Sequence, residues 1–300
     1  MKKKILIIGY GSAGRKHANI LKDNKSHRIY LFTKQKVKNY FCIKNLNDIK
    51  IINPDYIIIS SVTSKHIKHL KFIDKTLKHK LILIEKPLFE KYKDYKLKNN
   101  KQVFIGYNLR HNILLNYLKK FILNKKVFSV KINCLSYLPR WRKNIKYEKS
   151  NSAKKKYGGG ALLELSHELD YLQWIFGKIK KIKFSSLRKI SNLKIDCEDN
   201  AVIFGEIKKI SFLINLNIAS LIEERSITID CENFCIKANL LKNNLEIIED
   251  FKGKKKLNFP NIDTYKAQHQ HMLNRNFKKL CSYTDGMNIM KIIEKIKKFK

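Results

Sequence analysis

Lys4-Ile-Leu-Ile-Ile8-Gly9-Tyr10-Gly11-Ser12-Ala13-Gly14-Arg15 decides how the first part of this chain is read. Residues 4–8 are a short, β-branched, continuously apolar run, as a strand buried on both faces requires. Three glycines spaced G-x-G-x-x-G follow, and then a helical stretch over 15–22. In a strand–turn–helix of this kind Gly9 makes the tight turn and Gly11 admits a pyrophosphate. Gly14 lets the helix pack close to the strand, and Ser12 and Ala13 open the helix whose positive end faces the phosphates. The glycine pattern is common by itself; its place between a buried strand and a helix gives it meaning.

Outward from this turn, strand and helix patterns alternate. The next strand, 28–32, would end in an acid if it held the ribose hydroxyl of NAD. It ends instead in Phe32-Thr33-Lys34-Gln35-Lys36. A hydroxyl at Thr33 and cations at Lys34 and Lys36 suit the 2′-phosphate of NADP better, although lysine turns up almost anywhere in this chain, so NADP and NAD both stay open. A third unit runs Asp55-Tyr-Ile-Ile-Ile-Ser60-Ser61-Val-Thr63-Ser-Lys-His66, with Ser61, Thr63 and His66 at the carboxyl edge where such sheets bind ligands. A fourth, 80–84, runs into Glu85-Lys86-Pro87. Proline ends the ladder there and leaves the charged pair Glu85 and Lys86 at the strand's mouth, both as candidates to meet a cofactor. The alternation predicts a doubly wound parallel sheet.

Composition sets outer limits. Three hundred residues suggest two domains, and 44% hydrophobic content is enough to bury sizeable cores. The net charge of +39 would by itself argue for nucleic acid or an anionic membrane. Yet lysines occur in almost every segment, without a basic stripe or an arginine-rich arm, and Lys, Asn and Ile are over-used together. Most of the charge therefore reads as background composition from a coding bias, and no specific nucleic acid and no membrane is an expected partner. The six cysteines form no C-x-x-C pair and no zinc-ligand spacing, so no metal is expected and reduced thiols of a cytoplasmic protein are. The apolar run after Met1-Lys-Lys-Lys is too short for a signal sequence, and no segment reaches membrane-spanning length.

A second focus lies mid-chain, where Gly158-Gly159-Gly160 runs into Ala-Leu-Leu-Glu164-Leu-Ser-His167-Glu-Leu-Asp170-Tyr. On one continuous helix Glu164, His167 and Asp170 would follow one another at about 60° steps. Leu162, Leu165, Leu169, Leu172 and Phe176 would form an apolar stripe on the other side. A carboxylate–imidazole–carboxylate row suits proton transfer, because the acids set the tautomer of an imidazole that titrates near neutral pH. A surface histidine with acidic neighbours reads the same way. Trp141 offers a flat face to a ring, and Arg142 a fork for carboxylate or phosphate.

The glycine fingerprint, Glu85-Lys86-Pro87 and the Gly-Gly-Gly…His167…Asp170 segment occur in the order and spacing of one family. Together they resemble the Gfo/Idh/MocA (glucose–fructose oxidoreductase / inositol dehydrogenase) family of NAD(P)-dependent oxidoreductases over nearly the whole chain. Residues 105–110, 265–271 and 285–293 are similar to its crossover and closing helices. The resemblance implies an α/β protein: an N-terminal Rossmann domain over 1–106 and a C-terminal α/β domain over 107–300 with an open, mostly antiparallel sheet. Strand-like patterns at 128–137, 201–207, 210–219, 226–231 and 234–239 are compatible. It also implies a homo-oligomer and hydride exchange with a sugar-like or polyol secondary alcohol.

Carried over residue by residue, Lys86 matches the lysine that contacts substrate hydroxyl and nicotinamide, and His167 the catalytic histidine. Asp170 and Glu164 match its acidic neighbours. Many members place three residues between the first acid and the histidine, whereas here only Leu165 and Ser166 intervene, which weakens Glu164 as a substrate ligand. A finer likeness through 139–142, Tyr147, 152–153 and 164–171 looks like a bacterial subgroup associated with surface-sugar pathways. Two other readings stay open: a nucleotide-binding regulatory homologue without catalysis, and a C=N or C=C reductase of the biliverdin or dihydrodipicolinate type.

Overall fold

A computed structural model describes residues 2–142, 145–250 and 253–299. The chain forms two compact units, one of residues 1–108 and 263–290, the other of residues 109–262 and 291–300. Among the described residues no helix is long and apolar enough to cross a membrane, and no group of His, Cys, Asp or Glu could hold a metal ion.

The first unit is built from β1 (Lys3–Ile8), α1 (Ser12–Lys22), β2 (His27–Phe32), β3 (Phe41–Ile43), α2 (Ile49–Ile52), β4 (Tyr56–Ile59), α3 (His66–Thr76), β5 (Leu81–Ile84) and β6 (Gln102–Ile105). These six strands are parallel, in the order β6-β5-β4-β1-β2-β3. Ile5 to Ile8, Tyr56 to Ile59 and Ile82 to Ile84 are 0% exposed, which is why these strands read as unbroken apolar runs and not as alternating ones. The order reverses beside β1, so β1 and β4 diverge in their connections where a Rossmann sheet opens its ligand crevice.

The second unit starts with α4 (Ile113–Phe121), β7 (Val127–Tyr137), α5 (Ala161–Glu164) and α6 (His167–Phe176). Seven strands follow: β8 (Lys181–Arg188), β9 (Asn200–Ile207), β10 (Ile210–Asn217), β11 (Ala219–Cys231), β12 (Phe234–Asn239), β13 (Asn244–Glu249) and β14 (Gly253–Asn258). They form one eight-stranded sheet with β7, antiparallel throughout except where β10 runs parallel to β7. Ile132, Ile203, Ile214, Ile229 and Ile236 face its covered side, each 0% exposed and each flanked on both sides by less buried residues. The chain then returns to the first unit through α7 (Thr264–Leu273), β15 (Cys281–Ser282), which pairs antiparallel with β6, and the start of α8 (Tyr283–Lys298).

The long segment between β5 and β6 has no helix or strand of its own, and a buried carboxylate anchors its last part, residues 95–100. Asp74, on α3, accepts hydrogen bonds from Tyr95 Oη (2.8 Å), the amides of Lys98 (2.8 Å), Asn99 (3.0 Å) and Asn100 (3.0 Å), and Asn100 Nδ2 (3.0 Å). Burial alone would raise its pKa, but these donors outweigh burial and lower it. Its contribution is therefore complete above the ordinary carboxyl range near about pH 4 and is lost as pH falls through the lower folded value. Asp74→Ala is expected to cost about 2–3 kcal/mol in urea unfolding at neutral pH, with a smaller deficit near pH 3 or below.

Candidate active site

Gly9 follows β1 with φ +97°, and its amide donates to Phe32 O at 3.0 Å. A Cβ at Gly9 would lie 2.6 Å from Ser61 Cα, and one at Gly14 would lie 2.1 Å from Gly9 O and 2.9 Å from Ser60 Oγ. No side chain fits at either position, so α1 starts directly against the strand ends. Gly11, at the N-cap of α1, has nothing within 4 Å of its Cβ position. Ser12 and Ala13 begin the helix, and neither is buried. No side chain caps this first turn, and uncapped amides at a helix N-terminus are the environment that attracts a phosphate.

The other predicted residues of the first unit lie along the same carboxyl edge of the sheet. Thr33 and Lys34 follow β2; Thr33 Oγ1 accepts from the Gln35 amide at 3.1 Å. Ser61 follows β4, its hydroxyl 2.9 Å from His69 Nδ1, and burial, then His66, Lys65 and Lys68, lower His69 to about 4. Thr63 starts the turn that leads into α3 and is half-buried. His66 is buried with both ring nitrogens near backbone carbonyls, Nε2 2.9 Å from Ser61 O and Nδ1 3.2 Å from Pro87 O. Glu85 is 6% exposed and its Oε1 lies 2.9 Å from His17 Nε2. Lys86 comes next, half-buried and joined to Pro87 by a cis peptide.

In the second unit the helix expected over 161–176 is two helices. Leu165, with φ −101° and ψ +29°, breaks it between Glu164 and His167. The five apolar positions of the predicted stripe are nonetheless all buried. The acids do not form a row on one face. Glu164 and His167 are half-buried, whereas Asp170 is 0% exposed and paired with Arg110: Nε donates to Oδ1 and Oδ2 at 3.1 Å, and Nη2 to Oδ1 at 2.7 Å. The glycine loop is shaped by segment 190–200. Gly160 has φ +109°, and a Cβ there would meet the Glu198 carboxylate at 2.5 Å. Glu198 Oε1 accepts from the Leu162 amide at 3.3 Å, and burial raises the Glu198 pKa. Trp141 and Arg142 are half-buried after β7, with Trp141 Nε1 donating to Ser136 Oγ at 3.2 Å.

No model of a known protein family matches the sequence, and no curated protein matches it. Solved structures do. The WlbA dehydrogenase from Bordetella pertussis, in complex with NADH and UDP-GlcNAcA, superposes with a TM-score of 0.79 at 15% identity, over 99% of this chain and 96% of that one. Levoglucosan dehydrogenase, in complex with NADH and levoglucosan, gives 0.81 at 14%, over 99% and 98%. The UDP-N-acetylglucosamine 3-dehydrogenase GnnA from Acidithiobacillus ferrooxidans gives 0.77 at 13%, over 99% and 97%. The fold is that of these dehydrogenases. It is the two-part α/β architecture that the family resemblance implies.

Two features of the first unit escape a reading of the sequence. Arg15 Nη2 donates to Gln35 Oε1 at 3.1 Å, and Gln35 Nε2 to Tyr10 O at 3.2 Å, which brings a further cation beside Thr33 and Lys34. The arginine directly after the third glycine is the only local signal for this. His17 and His269 also meet, Nδ1 to Nε2 at 2.9 Å, although 252 residues separate them. Nothing local in either segment announces that contact.

Proposed function

We propose that this chain is an NAD(P)-dependent oxidoreductase that exchanges hydride with a secondary alcohol or ketone of a sugar-like substrate. The observation that carries the reading is the carboxyl edge of the parallel sheet. There an open helix N-terminus at Gly11, framed by two glycines that admit no Cβ, shares one edge with Lys86. The residues fit a dinucleotide: Gly9, Gly11, Ser12, Ala13 and Gly14 would receive its pyrophosphate, and Ser61, Thr63 and His66 would flank its path. Arg15, Thr33 and Lys34 supply two cations and a hydroxyl for a 2′-phosphate, so NADP is favoured over NAD. Once bound, the nicotinamide supplies the two-electron chemistry.

The chain's own groups handle the proton and the oxygen. His167 takes the hydroxyl proton at its imidazole during oxidation and returns it in reduction. Lys86, as an ammonium, holds the substrate oxygen while it carries negative charge. Asp170 and Glu164 bias the orientation of the segment bearing the imidazole. Arg142 and Trp141 provide a cationic fork and a ring face for the remainder of the substrate. Support for a sugar comes from the ligands named for the superposed WlbA and levoglucosan dehydrogenase structures.

The test begins with fluorescence titration of the full-length protein with NADPH and NADH, in which NADPH is expected to bind more tightly. Oxidised cofactor is then incubated with UDP-N-acetylglucosamine, its uronic acid and levoglucosan, each expected outcome being read from nicotinamide absorbance. Reduction by at least one of them supports the enzyme. Tight nucleotide binding with no reduction by any of the three sinks it in favour of a non-catalytic homologue.

A further inference from the structure

Glu85 precedes Lys86, yet its side chain ends in the core of the first unit. Room for it exists because residue 106 is glycine: a Cβ there would lie 2.8 Å from Glu85 Oε1. From this carboxylate a line of buried groups runs inward. Glu85 Oε1 lies 2.9 Å from His17 Nε2 on α1, His17 Nδ1 lies 2.9 Å from His269 Nε2 on α7, and His269 Nδ1 lies 3.0 Å from Tyr56 Oη on β4. His17 and Tyr56 are 0% exposed and His269 2%. Four segments that are remote in sequence have been brought to one proton-bearing line, and water does not reach its middle.

The protons in this line can be counted. Among the described residues the Tyr56 hydroxyl has a single partner, His269 Nδ1. If it donates there, His269 carries its proton on Nε2 and donates to His17 Nδ1. His17 then carries its own proton on Nε2 and donates to a Glu85 carboxylate. Every donor finds an acceptor, and no cation is required. The reverse direction leaves the Tyr56 proton without an acceptor and demands a second proton on His17 or one on Glu85. The surroundings agree with the first direction. Burial, then His17 and His27, push His269 well below the ordinary imidazole range, and burial, then Glu85, hold the Tyr56 phenol well above its own. Two further groups face the carboxylate: Tyr265, whose phenol is raised first by Glu85 and then by burial, and His66, which burial lowers although Glu85 opposes that. Lys16 Nζ sits 4.0 Å above the Tyr265 ring.

The backbone links this line to Lys86. The Glu85 amide donates to Ile59 O at 2.8 Å and so extends the β5 ladder by one residue. Successive residues of a strand point to opposite faces, and a residue before proline is held extended. Fixing the Glu85 side chain against α1 therefore fixes the direction in which Lys86 leaves the sheet. We propose that Glu85 is a positioning residue for Lys86, locked as a carboxylate by one-way hydrogen bonds from Tyr56 through His269 and His17. The inference rests on the role given to Lys86 above, but its readouts need no turnover.

The first readout is the long-range ¹H–¹⁵N spectrum of the full-length protein labelled at histidine, near neutral pH, with His17→Gln and His269→Gln used for assignment. Both rings are expected neutral with the proton on Nε2. An imidazolium at His17, or an Nδ1–H form at either ring, overturns the chain. The second is amide exchange at residues 85, 86 and 88. His17→Leu is expected to speed it by at least about tenfold with β1 unchanged, while His17→Gln, which keeps a donor toward Glu85, stays within about threefold of wild type. Unchanged exchange in His17→Leu, or an equal rise throughout β1, overturns the positioning role. Should His17→Leu not fold, Glu85→Ala replaces it with the same two outcomes. Lys86→Ala is assayed separately for turnover, so a failed role for Lys86 and a failed role for Glu85 are told apart.

Discussion

His167→Ala and Lys86→Met are each expected to slow hydride transfer by at least about 10²-fold while cofactor affinity changes by less than about threefold. Removing the imidazole removes the acceptor of the hydroxyl proton, so oxidation must shed that proton to water, and positioned proton transfer is worth about 10²–10⁴ in rate. Methionine at 86 keeps the length of the lysine and discards its charge, so the loss reads the ammonium and not the packing. Lys86→Arg should recover little, because a guanidinium presents a planar fork where a compact point charge is needed. Single-turnover reduction of bound cofactor, with whichever of the three sugars proves active, gives the rates, and fluorescence titration gives the affinities. A wild-type rate in either variant removes that residue from the mechanism. Free imidazole should restore part of the rate in His167→Ala and none in Lys86→Met.

The parts of the fold that rest on local pattern were legible before any coordinates. β1, β4 and β5 are covered on both faces, and a strand so placed has to be apolar at every position; Ile5 to Ile8 and Tyr56 to Ile59 are that pattern. The turn was legible too, since at Gly9 and Gly14 no other residue fits where backbone touches backbone. Illegible were the contacts that depend on distant segments. Residues 161–176 carry a helical stripe whose five apolar members are all buried, yet the backbone leaves the helix at Leu165, and a periodicity count does not register a one-residue break. Asp170 reads as a neighbour of His167, and it pairs with Arg110, 60 residues earlier. Glu168 carries no signal in the sequence, although it is 0% exposed and accepts from Arg225 Nε at 2.7 Å. Charged residues declare themselves as solvent-facing in a sequence, and their burial becomes visible only with the partner that permits it. The line from Tyr56 to Glu85 belongs to this class too: histidine has no pattern that distinguishes a core hydrogen-bonding role from an exposed one.

Arg110→Leu is expected to destabilise the second unit by about 3–5 kcal/mol. The guanidinium is 4% exposed and the Asp170 carboxylate 0%, so neither charge can be rehydrated if its partner goes. Coulomb attraction in such a pair roughly offsets the cost of drying both ions, and removing one ion leaves the other's cost uncompensated. Arg110 also lies 5.9 Å from the Trp174 ring centroid, with Lys119 Nζ at 4.1 Å from the same ring, and leucine forfeits that stacking. Asp170→Leu alone should cost a comparable amount by stranding the guanidinium. The double variant Arg110→Leu/Asp170→Leu should lose clearly less than the sum of the two, because no ion is then left unpaired. Urea midpoints for the four proteins close the cycle, and additive losses would show that the pair is not coupled. The cycle also bears on chemistry, since the pair ties α6, whose first residue is His167, to the turn at 108–111. A double variant that keeps its stability but loses hydride transfer would locate the value of this ion pair in holding the imidazole's helix in place, whereas one that keeps both would make Asp170 dispensable to the proton-transfer step.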